Sequence, residues 1–219
     1  MAHISETDQD YIRTKFNEMD KPVKLVYFTQ KFECDQCQIT NELLNELASL
    51  SEKISLEVYD FVGDVDKVKQ YAIDEIPAVV IVGEKDYGIR FYGAPAGYEF
   101  SSLIEDIIDV SNGTTSLSEE TKRALAQLKE ALHIKVFVTP TCPYCPRAVR
   151  MAHLMALESD LVRGDMIEAT EFPHLSHRYN VGAVPKVVIN DVVEFEGALP
   201  ENLYLEKVKE AEGRALSSG

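Results

Sequence analysis

The sequence predicts an α/β protein built from two tandem units with the same order of elements, β-α-β-α-β-β-α, each preceded by a helix. Short apolar, β-branched runs alternate along the chain with stretches whose apolar residues recur at helical spacing. A shift of 108 residues places Cys34 on Cys142, Cys37 on Cys145, and Pro77 on Pro185. Because one offset carries the cysteines and the proline together, it indicates an internal repeat.

The elements of the first unit follow from these patterns. Apolar residues on a charged background predict a leading helix at 8–19, capped around Ser5 to Asp8. The elements that follow are a strand at 23–28, a helix beginning at the cysteines that buries Ile39, Leu43, Leu44, Leu47 and Leu50, a strand at 54–59, a helix at 65–71, strands at 76–82 and 89–92, and a closing helix buried through residues 103–108.

A polar, turn-prone stretch at 111–116 predicts a linker between the two units. It divides the chain into an N-terminal unit at 1–113 and a C-terminal unit at 117–219. The second unit opens with a predicted amphipathic helix that continues from Ser118 through Leu132. Four residues are missing between its last two strands, where Asn190-Asp191 predicts a tight hairpin.

Composition and charge exclude several classes of partner. The chain carries 37 acidic and 22 basic residues, a net charge of −15, which repels nucleic acids and anionic membranes. No apolar run is long enough to span a bilayer, and the first residues lack the basic region and apolar core of a signal peptide. We therefore expect a cytoplasmic protein with no nucleic-acid or membrane partner.

All four cysteines fall into two Cys-x-x-Cys pairs, Cys34/Cys37 and Cys142/Cys145. Two thiols three positions apart at a helix start suit disulfide exchange, because the positive end of the helix stabilises a thiolate. The alternative is one zinc ion held by four thiolates. Zinc ribbons place their pairs about 15–20 residues apart, whereas most of a domain separates these pairs, so we expect no metal.

The order of elements, the Cys-x-x-Cys after the first strand, and an Ile76-Pro77 or Val184-Pro185 dipeptide 43 residues after the first cysteine resemble the thioredoxin fold. Two such units with one dithiol each resemble the glutaredoxin-like protein disulfide oxidoreductases, known mainly from thermophilic archaea and bacteria. The resemblance covers nearly the whole chain. It implies two tandem thioredoxin-fold units with mixed parallel and antiparallel sheets flanked by helices.

The resemblance also implies roles for the two dipeptides. Pro77 and Pro185 would be cis prolines packed beside their dithiols. Ile76 and Val184, the residues before them, would offer backbone groups to an extended substrate segment. Substrate recognition would then be shallow and made largely by the main chain.

Thiol chemistry then assigns the catalytic residues. Cys34 or Cys142 attacks a substrate disulfide as a thiolate, and Cys37 or Cys145 resolves the mixed disulfide. The expected substrates are protein or peptide disulfides and dithiols. A flavin-containing, thioredoxin-reductase-like enzyme is the candidate electron donor, and no cofactor is expected beyond the two redox-active disulfides.

The two sites differ in charge. Glu33 and Asp35 flank Cys34 and disfavour its thiolate, whereas Cys142 has neutral neighbours and Arg147 about a turn away. Cys142 is therefore predicted to be the more reactive thiol.

Several alternatives stay open at this point. Asp60 and Glu168 share the 108-residue offset and could transfer protons, although solvated strand ends are the simpler interpretation. Glutaredoxins bind glutathione through a Gly-Gly-x-Asp pattern after the fourth strand. This chain has Gly197-Ala198-Leu199-Pro200 there, which argues against the use of glutathione. A peptide-binding chaperone or scaffold, in which redox turnover is secondary, is the alternative function. The chain also resembles the two-unit module that passes electrons from a flavoprotein to bacterial peroxidases, which keeps a single dithiol.

Overall fold

The computed structural model describes residues 3–218. The first half contains, in chain order, α1 (Glu6–Phe16), β1 (Val23–Thr29), α2 (Cys37–Ala48), β2 (Ile54–Asp60), α3 (Val65–Tyr71), β3 (Ala78–Val82), β4 (Asp86–Tyr92) and α4 (Glu99–Asn112). The second half contains α5 (Glu119–Leu125), β5 (Leu132–Val138), α6 (Cys145–Glu158), β6 (Val162–Glu168), α7 (Pro173–Arg178), β7 (Lys186–Ile189), β8 (Val193–Glu196) and α8 (Glu201–Ser218). Met1, Ala2 and Gly219, which the predicted unit boundaries include, lie outside the described residues.

The eight strands within residues 3–218 join one mixed sheet in the order β2-β1-β3-β4-β6-β5-β7-β8. In each half the first two strands pair in parallel, and the third strand is antiparallel to both of its neighbours. Parallel pairing of β4 with β6, from Ile89 opposite Gly164 to Tyr92 opposite Ile167, joins the halves. Each of these strands would otherwise be an open sheet edge, so their pairing satisfies the backbone groups of both.

This join places both dithiols at the same edge of the sheet. Following the pairings from β1 through β3, β4 and β6 to β5 shows that β1 and β5 run in the same direction. The two dithiols follow the carboxyl ends of these strands. Four inter-strand steps separate β1 from β5, which corresponds to roughly 19 Å.

The helices lie on both faces of the sheet. One face carries α3 and α7 with Tyr71, Ile73 and Phe172 in its core. The other face carries α1, α2, α4, α5, α6 and α8 over a larger core. The helices that begin at the cysteines, α2 and α6, therefore share a face as well as an edge.

A polar cluster links α4 of the first half to α6 of the second. Arg150 donates to Glu105, Asp106 and Asp109, and His153 Nδ1 lies 2.6 Å from Asp106 Oδ2. Burial and then the Arg150 charge lower the pKa of His153 to about 3. The imidazole is therefore neutral, and its Nδ1–H donates to the buried Asp106 carboxylate.

Three sequence-based expectations about the helices are wrong in detail. The helix opening at Ser118 ends at Leu125, and Leu132 instead starts β5, where it pairs with Val162. Ile39 is 47% exposed, because the inward stripe of α2 runs through Thr40, Leu43, Leu44 and Leu47, one position away from it. The linker expected at 111–116 starts later, since Ser111 and Asn112 are the last residues of α4 and Gly113, with φ 62°, caps its end.

The sequence signals for the cap of α1 and for the turn between β7 and β8 are confirmed. The Ser5 hydroxyl accepts a hydrogen bond from the Asp8 N–H and caps α1. Asn190 and Asp191 both have positive φ, 50° and 59°, in the short turn from β7 to β8. These two residue types tolerate the left-handed region that such a hairpin requires.

Candidate active site

Each Cys-x-x-Cys pair forms a disulfide at the start of a helix. The Cα atoms of Cys34 and Cys37 are 5.4 Å apart, and those of Cys142 and Cys145 are 5.5 Å apart. Cys37 and Cys145 are the first residues of α2 and α6. Each donates its backbone N–H to the carbonyl of the first cysteine of its pair, at 3.3 and 3.4 Å. The positive field of the helix N-terminus therefore acts on both dithiols.

The second cysteine of each pair is the deeper one. Cys37 is 2% exposed and Cys145 is fully buried, whereas Cys34 is half-buried. Cys142 is 7% exposed, so it is buried although the sequence predicts it to be an attacking thiol. The loop before it contacts the first half of the chain at Pro140.

Both prolines expected beside the dithiols have cis peptide bonds, Ile76–Pro77 and Val184–Pro185, as the resemblance implies. The Cys142 Sγ lies 3.8 Å from the carbonyl oxygen of Val184. The proline loop and the dithiol of the second half are therefore in contact. A substrate role for these four loop residues stays a prediction.

In the first half, Cys34 opens into a cavity of about 510 Å³ that also contains Ile76 and Pro77. The opposite wall comes from the second half, through Thr170, Glu171 and Pro173. The groove beside the first dithiol is thus built by both halves of the chain.

The first half also contacts the second dithiol loop. The Tyr98 N–H donates to the Pro140 carbonyl at 3.1 Å, and Gly97 has φ 61°. A Cβ added at Gly97 would lie 2.1 Å from that same carbonyl oxygen. Only glycine permits this approach, because any larger residue would overlap the backbone of the loop before Cys142.

Replacing Gly97 with alanine is therefore expected to displace the loop before Cys142. We expect Gly97→Ala to lower the free energy of unfolding by about 2 kcal/mol more than Gly113→Ala. Gly113 is a matched control because its φ, 62°, is within a degree of that of Gly97, and a Cβ there would meet no atom of the described residues within 4 Å. Chemical denaturation of both variants measures the difference, and equal losses would show that the Pro140 contact tolerates a side chain.

Glu99 is a buried acid that the sequence-based interpretation missed. It is 1% exposed, and its Oε2 accepts a hydrogen bond from Ser102 at 2.8 Å. Within residues 3–218 no donor reaches its Oε1. Burial raises the pKa of Glu99 to about 7. Contacts at Pro140 and at His153 show that α4 and α6 run side by side in the same direction, so the first turn of α4, which carries Glu99, lies beside the start of α6.

Asp60 and Glu168, the two acids related by the 108-residue offset, lie in different environments. Asp60 is exposed, and its Oδ1 accepts from the Val62 and Gly63 N–H groups, so it is a solvated turn residue. Glu168 is 2% exposed, and its Oε2 accepts from the Thr170 hydroxyl and the Glu171 N–H. The interpretation as a solvated strand end is therefore wrong for Glu168, whose side chain fixes the turn after β6.

The sequence contains a pattern from which the burial of Glu99 could have been predicted. Glu99, Leu103, Asp106 and Val110 follow one another at i, i+4, i+7 and i+11, which places two carboxylates on the buried stripe of α4. Glu171 carried no such signal, because the N–H group that its side chain accepts from, that of Ala94, belongs to the other half of the chain.

The fold and these sites define an oxidoreductase with two thioredoxin-fold units. A family model described as a thioredoxin domain matches residues 132–210. A protein disulfide oxidoreductase from Aeropyrum pernix K1 is 33% identical, with a TM-score of 0.90 over 95% of this chain and 94% of that one. The alkylhydroperoxide reductase AhpF of Enterococcus faecalis is 26% identical, with a TM-score of 0.86 over 93% of this chain and 98% of the solved chain.

Curated relatives include an NADH dehydrogenase of Bacillus subtilis, 27% identical over 68% of this chain, and an alkyl hydroperoxide reductase component of Staphylococcus aureus, 27% identical over 71%. The matched part spans 27% and 28% of those two proteins, about a quarter of their length. With a third of its residues identical over nearly the whole length of the A. pernix protein, the chain belongs to the protein disulfide oxidoreductase family.

Proposed function

We propose that this chain reduces, forms or isomerises disulfides of protein and peptide substrates at both of its dithiols. The observation that carries the proposal is the repeated arrangement of a dithiol at a helix start beside a cis-proline loop. An extended substrate segment that pairs with the backbone of Ile76 or Val184 would bring its disulfide to Cys34 or Cys142.

The exchange proceeds in two balanced steps at each site. The Cys142 thiolate attacks one sulfur of the substrate, a Cys142–substrate bond forms, and the substrate S–S bond breaks to release a thiolate. The Cys145 thiolate then attacks the Cys142 sulfur, which forms the Cys142–Cys145 disulfide and releases the second substrate sulfur. Two electrons pass to the substrate, and the reverse sequence oxidises a dithiol. Cys34 and Cys37 act in the same order.

Burial of the second cysteine supports this order of events. Cys37 and Cys145 are the less exposed members of their pairs, so an incoming disulfide meets Cys34 or Cys142 first. Glu99, with its pKa raised to about 7 by burial, is suited to exchange protons near the start of α6. Higher reactivity of Cys142 relative to Cys34 stays a prediction, which titration of the thiolate absorbance in single-site variants would test.

A flavin-containing, thioredoxin-reductase-like enzyme is the proposed electron donor. The similarity to the S. aureus alkyl hydroperoxide reductase component over about 70% of this chain supports a redox partner of that kind. Each helix within residues 3–218 is too short or too polar to span a bilayer. A cytoplasmic location and the absence of a cofactor beyond the two disulfides remain parts of the proposal.

The proposal is tested by the stoichiometry of exchange. The fully reduced chain has four thiols, so incubation with excess disulfide peptide should consume all four and release two equivalents of reduced dithiol peptide per chain. Mass spectrometry should then find both Cys-x-x-Cys pairs closed. A chain that keeps two or more free thiols would show that at least one pair does not exchange.

A further inference from the structure

The Cys34 groove contains a carboxyl group that the first half of the chain does not supply. Glu171, in the turn between β6 and α7, lines the same cavity as Cys34 and Pro77. Building on the function proposed above, we propose that Glu171 is the proton donor and acceptor for disulfide exchange at Cys34, so that the second half of the chain completes the active site of the first.

A short chain of hydrogen bonds fixes this carboxyl beside the proline loop. The Gly93 N–H donates to the Pro77 carbonyl at 2.9 Å, and the next N–H, that of Ala94, donates to Glu171 Oε1 at 2.8 Å. The backbone of Glu171 is also held in place, because its N–H donates a hydrogen bond to the Glu168 side chain. Gly93 has φ 92°, and a Cβ there would lie 2.7 Å from the Glu168 Cβ and 3.0 Å from Glu171 Oε1. Only glycine at position 93 therefore leaves room for the turn that carries Glu168 and Glu171.

Among the described residues, the second dithiol has no counterpart of this hydrogen-bonded carboxyl beside the proline loop. The matching glycine of the second half, Gly197, also donates its N–H to the carbonyl of its cis proline, Pro185, at 2.8 Å. Its φ is 87°, close to that of Gly93, but a Cβ there would meet no atom of the described residues within 4 Å. A carboxyl hydrogen-bonded to the turn after the cis proline is thus specific to the Cys34 site within the described residues.

Burial, together with the charged groups around it, favours the protonated form of Glu171 near neutral pH. Burial, and then the Glu168 charge, raise the pKa of Glu171 to about 7, against the opposing hydrogen bond from Ala94. Glu33 and Asp35 line the same cavity and add negative charge. Tyr27 of β1, whose hydroxyl donates to the Cys37 carbonyl at 2.7 Å, stays neutral because burial raises its pKa to about 12.

The proposed step transfers one proton from Glu171 to the leaving group. The Cys34 thiolate forms a bond to one substrate sulfur, the substrate S–S bond breaks, and the leaving sulfur takes the proton of the Glu171 carboxyl. The resulting carboxylate regains a proton from water before the next turnover. When the chain oxidises a substrate dithiol, the carboxylate accepts the proton of the attacking thiol.

The test compares two neutral disulfides with the reduced chain in which Cys142 and Cys145 are serine. Bis(2-hydroxyethyl) disulfide has a leaving thiol of high pKa that needs a proton, and 4,4′-dithiodipyridine has one that leaves without it. We expect Glu171→Gln to slow the first reaction about tenfold at pH 6, with the difference disappearing above pH 8 as the native carboxyl ionises. The second reaction should keep its rate, and Glu171→Asp should restore most of the first.

Equal slowing of both disulfides, or a pH profile parallel to that of the Glu171-containing chain, would overturn the proposal. The same substitution in the chain with Cys34 and Cys37 replaced by serine should leave exchange at Cys142 unchanged, and a tenfold loss there would also contradict it. If the chain with native Glu171 fails to react with either disulfide, the proposed function itself is wrong, which separates the two outcomes.

Discussion

Replacing all four cysteines with serine is expected to lower kcat/KM for insulin reduction by at least about 10³-fold, to the rate without protein. A serine hydroxyl keeps its proton near neutral pH, so neither the attacking nor the resolving step can occur. A loss of this size corresponds to about 4 kcal/mol of transition-state stabilisation. The insulin-reduction assay measures it, with circular dichroism to show that the variant is folded.

Variants that lack one dithiol each show how much of this activity comes from each site. Cys34/Cys37→Ser and Cys142/Cys145→Ser should each keep the activity of the remaining dithiol, and a larger loss from the second variant would agree with a more reactive Cys142. Refolding of scrambled ribonuclease by the same two variants tests whether isomerisation needs both sites. Full activity in the four-serine variant would instead favour a binding protein whose cysteines are incidental.

Substituting alanine for Asp106 is expected to destabilise the chain by about 3–5 kcal/mol. Asp106 is 1% exposed and contacts both Arg150 and His153 across the boundary between the halves. Its removal leaves the largely buried guanidinium without its deepest partner and the imidazole N–H without an acceptor. Thermal unfolding should show a fall in Tm of roughly 6–20 °C.

Glu105→Ala is the matched control for Asp106. It lies on the same helix and pairs with the same Arg150, but its side chain is 62% exposed. Exposed ion pairs contribute about 0–1 kcal/mol, so this variant should unfold close to the native chain. Equal destabilisation by both substitutions would mean that burial does not determine the strength of this cluster.

Local patterns predicted most of the fold because the elements carry their own signals. β1, β2 and α3 lie within one residue of the predicted ranges, since β-branched runs and helical spacing are properties of single segments. The prediction that the helix after Ser118 reaches Leu132 was wrong because the structure there depends on a distant strand. Leu128 and Leu132 continue the apolar spacing of α5, but pairing of Leu132 with Val162 satisfies its backbone in a strand, and no local pattern reports that partner.

The site was predictable where it repeats and unpredictable where the halves meet. The 108-residue offset gave both dithiols and both prolines, because a repeated constraint leaves a repeated pattern. Pairing of β4 with β6, the approach of Gly97 to Pro140, and the entry of Glu171 into the Cys34 groove all join residues of different units. Contacts between units depend on how two folded surfaces meet, which a single sequence does not record locally.

The central claim is that Cys34 and Cys142 attack while Cys37 and Cys145 resolve. Trapping tests it most directly, because a chain without its resolving thiols cannot release the mixed disulfide. The reduced Cys37→Ser/Cys145→Ser variant, mixed with a disulfide peptide and analysed by mass spectrometry, should carry one stable peptide adduct on each remaining cysteine. The reduced Cys34→Ser/Cys142→Ser variant should carry few or none. Stable adducts on Cys37 and Cys145 in the second variant, with none in the first, would contradict this account.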